Sequence, residues 1–274
     1  MKLLKTIPLI ILIIFMAGCN APRLCCSYNT IGTWWWDNTL STSQYLSFAK
    51  DNGVTDIYYC DSTFGQTTAN FIAQANNLNI SVHFLCGEYQ WLENSAHLFE
   101  KIENFITYQT QYPNFKFAGI HLDIEPHQHP NFNEERTSLI TSLITIAHAL
   151  KTTYPGIVFD YDIPFWFNDE ITFNLVKKPA YAHMIDIANQ VHIMSYRDTA
   201  QGIYNVSKDE ILYANSVNKP IALGLETKSS EGNSVSFMEE GKKIMYQEIE
   251  NLHSLAPNVT INIHHIKDWY MLKN

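Results

Sequence analysis

The sequence predicts a single α/β domain, a closed (β/α)8 TIM barrel, from three observations: eight short strand-like runs, helix-like segments between them, and a polar residue at nearly every strand end. Such a barrel takes about 250 residues. The competing arrangement is an open doubly wound sheet, but no glycine-rich phosphate turn follows the first strand.

The strand-like runs are Thr30–Trp36, Asp56–Cys60, Ile80–Leu85, Phe117–Glu125, Ile157–Ile163, Val191–Tyr196, Ile221–Leu225 and Val259–Ile266. Between them lie helical segments. Ser41–Asn52 opens on Ser and Thr caps and stops at Gly53, and Trp91–Tyr112 stops before Pro113. Glu134–Tyr154 carries Leu139, Leu143, Ile146 and Leu150 at three- and four-residue spacing. Val206–Val217 and Val235–Leu255 complete the set, with a looser helix-like segment at Asp169–Ala188. No Pro/Gly-rich linker divides the chain. The strand ends carry Asp37, Asp61, Glu88, Asp123 and Glu125, Asp160 and Asp162, Tyr196 and Arg197, and Glu226, which a barrel would gather at one mouth.

The N-terminus reads differently. Lys2 and Lys5 precede an apolar run from Ile7 to Phe15 that is short for a bilayer span, the pattern of an export signal over residues 1–18. Met16-Ala17-Gly18-Cys19 resembles a bacterial lipoprotein cleavage site, so Cys19 is the expected lipidation point. Residues 19–28 would then be a short tether and 29–274 the barrel, held by its lipid on the extracytoplasmic side of a bacterial membrane. A formal charge of −9 and the absence of any Lys/Arg cluster exclude a nucleic-acid partner. A monomer is expected. Cys25, Cys26, Cys60 and Cys86 would be free to pair in an oxidising compartment, but their spacing assigns no pairing and is not that of a zinc site.

The stretch Phe117-Ala-Gly-Ile-His-Leu-Asp-Ile-Glu-Pro126 carries the chemistry. In a strand, His121, Asp123 and Glu125 share one face while Ile120, Leu122 and Ile124 share the other. A strand in a parallel sheet is normally apolar on both faces, so this polar row needs a reason beyond packing. Carboxylates at a barrel mouth with aromatic neighbours (aromatic residues are 13% of the chain) suit the cleavage of a glycosidic bond. That reaction needs a proton donor at the leaving oxygen and a group that supports the charge at the sugar carbon. Glu125 is the expected donor. Asp123, about 7 Å away by backbone rise, would favour its protonated form through like-charge repulsion.

Gly119-Ile-His-Leu-Asp-Ile-Glu125 resembles the fourth-strand motif D-G-x-D-x-D-x-E of family 18 glycoside hydrolases, the chitinases and endo-β-N-acetylglucosaminidases. Gly119, Asp123 and Glu125 match, while Ala118 and His121 stand at the first two aspartates. Met194-Ser-Tyr196 resembles that family's sixth-strand M-x-Y. The resemblance implies that Glu125 is the acid/base and that Asp123 and Tyr196 hold the substrate's N-acetyl group while its oxygen attacks the anomeric carbon. No cofactor is implied. His264 and His265 lie where the family places a floor tryptophan, with Trp269 slightly later. Trp35, Asp61, His121, Asp162, Met194, Glu226, His264 and Trp269 are the expected substrate-binding residues.

Two other readings use the same residues. Glu125-Pro126 resembles the end of the Asn-Glu-Pro run of retaining glycosidases, in which Glu226 would be the nucleophile, although Ile124 replaces the Asn. An inactive glycan-binding barrel is the other. A metal held by His121, Asp123, Glu125, His127 and His129 is not expected, because strand alternation cannot be projected past Pro126.

Overall fold

The structure is a computed structural model, and it describes residues 30–36, 41–61, 63–229 and 232–274. The export signal, the tether with Cys19, Cys25 and Cys26, and Asp37 lie outside the described residues. In chain order the elements are β1 (Ile31–Trp35), α1 (Thr42–Asp51), β2 (Asp56–Cys60), α2 (Gln66–Asn76), β3 (Ser81–Cys86), α3 (Ala96–Gln111), β4 (Ile120–Leu122), α4 (Phe132–Thr153), β5 (Phe159–Pro164), β6 (Glu170–Phe173), β7 (Val176–Pro179), α5 (Ala180–Ile187), β8 (Gln190–Met194), α6 (Ala200–Ser216), β9 (Ile221–Glu226), α7 (Gly241–Leu255), β10 (Thr260–His264) and α8 (Ile266–Met271).

Among the described residues, eight of the ten strands close a parallel barrel in the order β1-β10-β9-β8-β5-β4-β3-β2. Closure is made between the first and last strands, where Ile31 pairs with Ile261 and Thr33 with Ile263. The Thr33 hydroxyl adds a bond to the Ile263 carbonyl at 2.8 Å. The single (β/α)8 barrel is therefore the fold, and all eight barrel strands fall on the expected runs.

Two stretches depart from expectation. Asp169–Ala188 is not one helix: β6 and β7 form an antiparallel hairpin before α5 begins. Its two-residue turn, Asn174-Leu175, has φ of 49° and 66°, the left-handed pair that a tight hairpin requires. The second departure is α2, whose buried face is built from Thr68, Ala69, Phe71, Ile72 and Ala75. Only two of those five are large and apolar, so the segment carries little of the periodicity that marks a helix.

β4 is also shorter than Phe117–Glu125. Its paired residues are Ile120–Leu122, with further bonds to β3 from Ala118 N–H to the Val82 carbonyl at 2.7 Å, from Phe84 N–H to the Gly119 carbonyl at 2.9 Å and from Asp123 N–H to the Cys86 carbonyl at 3.0 Å. Pro126 then starts a 3-10 turn over Pro126–Gln128. Two glycines permit this strand's tight seat. A Cβ on Gly119 would lie 2.9 Å from both Cβ and the carbonyl oxygen of Val158, and one on Gly87 would lie 1.7 Å from the Asp123 carbonyl oxygen. Gly87 has no tolerable substitute while Asp123 stays where it is.

The apolar core lies between barrel and helices, as the outward rows of Ile, Leu, Val and Phe require. Trp35 belongs to this layer. It is fully buried, with ring centroids 5.1 Å from Tyr45 and 4.9 Å from Phe71. The expectation that it faces the mouth is corrected: Gly32, Trp34 and Trp36 are the inward row of β1, because side chains alternate and Gly32 is the position that abuts Tyr58 and Asn262 inside the barrel.

Trp35→Ala should cost about 3–5 kcal/mol of stability, read from denaturant midpoints, because it empties a closed site in the core. Sugar affinity of the folded fraction should not change.

Candidate active site

At the C-terminal end of the barrel lies a cavity of about 660 Å3 whose polar lining includes Asp123, Glu125, Asp162, Tyr196, Glu226 and His264. Strand alternation explains the set, since each side chain comes from the inward row of its strand or of the turn that follows. Met194 lines the same space. The expected catalytic trio of Glu125, Asp123 and Tyr196 is therefore brought together.

The floor is built around Asp162, which is 4% exposed. Its Oδ2 accepts the indole N–H of Trp34 at 3.0 Å and the Nε2–H of His121 at 2.7 Å. His121 is wholly buried and stacks on Tyr58 at 4.1 Å, so it orients Asp162 from below and does not reach the cavity. Burial pushes His121 down to about 3, which keeps it neutral and leaves Nε2 able to donate.

Asp123 and Asp162 interact. Burial raises both, Asp162 to about 8, and the negative field of Asp162 raises Asp123 further. Each keeps one buried oxygen, Oδ1, without a protein partner. Two carboxyls so placed hold a proton at neutral pH, and Asp123 is thereby able to give a hydrogen bond as well as accept one.

The opposite wall is a chain of bonds across three strands. Glu226 Oε2 accepts from His264 Nδ1 at 2.9 Å, and His264 Nε2 accepts from Trp36 Nε1 at 3.2 Å. Glu226 Oε1 accepts the backbone N–H groups of Thr227 at 2.7 Å and Lys228 at 2.8 Å. Both oxygens of Glu226 are engaged. Tyr196 lies nearly parallel to His264 at 6.0 Å, and burial holds its hydroxyl well above the ordinary phenol range, so it remains a donor.

The rim is aromatic, with Trp36, Tyr89, Phe165 and Trp166 around the opening. Trp166 is held from behind: Arg136 packs on its ring at 4.8 Å while bonding both oxygens of Asp169 at 2.7 Å. His127 meets Trp166 edge-on at 5.5 Å and lies 3.7 Å from Glu125 Oε1.

Two further expectations are corrected. Asp61 does not line the cavity; it accepts the Thr63 N–H at 2.9 Å and bonds the Thr68 hydroxyl, tying the chain into α2. Trp269 is fully buried in α8, donating to Tyr246 Oη at 3.0 Å and packing on Phe48 at 5.0 Å. Trp34, not Trp269, supplies the indole on the floor. Trp36, Tyr89, His127 and Trp166 were not singled out as binding residues. The Trp triplet held a signal for Trp36, but Trp166 depends on a partner thirty residues away in sequence.

The Asp123–Asp162 pair sets a pH dependence. A carboxyl whose folded pKa is raised contributes stability that is complete below pH 3.8 and is lost as the pH rises through about 8. Asp162→Asn cannot ionise. Wild-type stability should therefore fall relative to this variant over that interval, and a constant difference in denaturation midpoints would refute the raised Asp162 carboxyl.

No family model matches the chain, and no curated protein matches it. Solved structures do. The spore cortex-lytic enzyme SleL of Bacillus megaterium QM B1551 superposes with a TM-score of 0.53 at 12% identity, covering 88% of this chain and 72% of that one. A chitinase from Bacteroides thetaiotaomicron gives 0.52 at 12% identity, covering 87% and 90%. The glycoside hydrolase domain of PelA from Pseudomonas aeruginosa gives 0.50 at 9% identity, covering 89% and 97%. At these identities the likeness is one of fold: the chain has the single (β/α)8 barrel that chitinases and other glycoside hydrolase domains use.

Proposed function

We propose that the protein is a glycoside hydrolase acting on β-linked glycans that contain N-acetylhexosamine, with the substrate's own acetamide as nucleophile. The observation that carries this reading is the meeting of Glu125, Asp123 and Tyr196 at one aromatic-rimmed cavity, where burial and the negative field of Asp162 raise the Asp123 carboxyl. Glu125, at the end of the inward row of β4, gives its proton to the glycosidic oxygen. The Tyr196 hydroxyl and the Asp123 carboxyl hold the acetamide as its oxygen attacks the anomeric carbon. Glu125 then takes a proton from the water that completes hydrolysis. Trp36 and Trp166 offer flat faces on which sugar rings stack.

The bonds made by Glu226 speak against its serving as an enzyme nucleophile. A carboxylate that accepts two backbone N–H groups and a histidine N–H has both oxygens engaged and is fixed in orientation. It anchors His264, and through it Trp36. His121, where the resembling family has an aspartate, supports Asp162 as a neutral donor.

Glu125→Gln should lower kcat on N-acetylated oligosaccharides on the order of 10²–10⁴-fold with little change in ground-state binding. Asp123→Asn and Tyr196→Phe should also lower kcat strongly, whereas Glu226→Gln should mainly weaken binding. Equal activity on non-acetylated substrates would remove the acetamide from the reaction, and full activity in Glu125→Gln would leave a glycan-binding barrel.

We also propose export and lipid anchoring at Cys19, on the N-terminal sequence alone. No helix among the described residues is long and apolar enough to cross a membrane. Cys19→Ser should abolish lipid-dependent processing and release the protein from the membrane fraction, and unchanged fractionation would contradict the anchor.

A further inference from the structure

We propose that His121, Asp160 and His192 form a buried site for one divalent ion of the zinc class, inside the barrel and beneath the cavity. The three come from the inward rows of β4, β5 and β8. One ligating atom from each lies within 4.8 Å of the others, so shifts on the order of an ångström give bonds of about 2.0–2.1 Å. The residues are 0%, 4% and 1% exposed. None of them lines the cavity above.

Three independent features of the cluster point to a ligand. The first is a pair of orphaned atoms: His121 Nδ1 and His192 Nε2 are fully buried and have no hydrogen-bond partner. The two rings meet edge to face with centroids 4.5 Å apart, within a wall formed by Tyr58. Buried polar atoms are normally satisfied, and two on adjacent rings beside a carboxylate form a donor set without an acceptor.

The second feature is the outer ring of bonds. His121 Nε2 bonds Asp162 Oδ2 at 2.7 Å, which leaves Nδ1 for an ion, as metal-bound histidines characteristically arrange their second nitrogen. Asp160 Oδ2 faces His83 Nδ1 at 3.4 Å. His192 Nδ1 accepts from the Asn262 amide, so ligation through Nε2 requires that amide to turn its oxygen toward an Nδ1–H.

The third feature is the donor set. Two imidazoles and one carboxylate suit zinc and its neighbours better than calcium or magnesium, which prefer all-oxygen sites. The site shares His121 with the floor of the cavity through Asp162, but metal binding is tested without reference to the glycosidase reading.

Full burial means that the ion enters as the chain folds. The test is to unfold the full-length protein in chelator, refold it with Zn2+, with Co2+ or metal-free, and desalt it. Elemental analysis should give about one ion per chain, Co2+ should show the visible band of a histidine-ligated site, and the melting temperature should rise with free Zn2+. His121→Gln and His192→Gln should each bind substoichiometrically and melt at the metal-free wild-type temperature. Less than about a tenth of an equivalent in refolded wild type would overturn the site. Undiminished stoichiometry in both variants would place the ion elsewhere and overturn it equally. Should a variant fail to fold, the wild-type Co2+ spectrum and the Zn2+ dependence of its melting temperature decide the matter.

Discussion

The carboxylate of Asp162, closed off from water and bonded by Trp34 and His121, is the contact on which the interior of this barrel turns. A charge or an orphaned carboxyl inside a strand barrel is expensive, and the two bonds to Oδ2 offset part of that cost. Those bonds tie three strands at once. A slip of β5 by one residue would exchange Asp162 for Tyr161 or Ile163 and leave the Trp34 indole and His121 facing hydrocarbon. The inward rows of β1, β4 and β5 are thereby held in register by a polar bond, where most barrels of this type rely on layers of branched aliphatic side chains.

The molecule separates its two kinds of packing. Outside the strands, the helices cover a continuous apolar layer into which Trp35, Trp91 and Trp269 are sunk. Inside, histidines, aspartates, Asn262 and Tyr58 replace that layer. The outer layer supplies stability by burial and the inner one supplies directed bonds, which explains how the floor of a cavity can be so polar without the fold depending on it alone. The rim is different again. Trp166 is placed by the Arg136–Asp169 clip at the foot of the β6–β7 hairpin, not by a barrel strand.

Strand positions were legible because strands covered on both faces read as short apolar runs, and eight such runs with helices between them leave few topologies. The facing of Asp123 and Glu125 followed from alternation alone. Parity in β1 did not, since three consecutive tryptophans look alike on either face; Gly32, the small residue required where the strand meets Tyr58 and Asn262, was the clue to reading it. Asp61 and Trp269 were misplaced because a strand end or a nearby indole says nothing about what its side chain bonds. The hairpin within Asp169–Ala188 was masked by the absence of glycine in its turn. The meeting of His121, Asp160 and His192 rests on the pairing of neighbouring strands β4, β5 and β8, in which His121 lies opposite Asp160, and that register is not written in the sequence of any one strand.

The wall formed by Trp36, His264 and Glu226 spans the seam at which the first and last strands of the barrel join. Trp36 is translated at the start of the domain, Glu226 and His264 near its end. A chain lacking the final strand carries Asp123 and Glu125 but neither the seam nor His264, so the cleft is finished only when the last strand docks on the first.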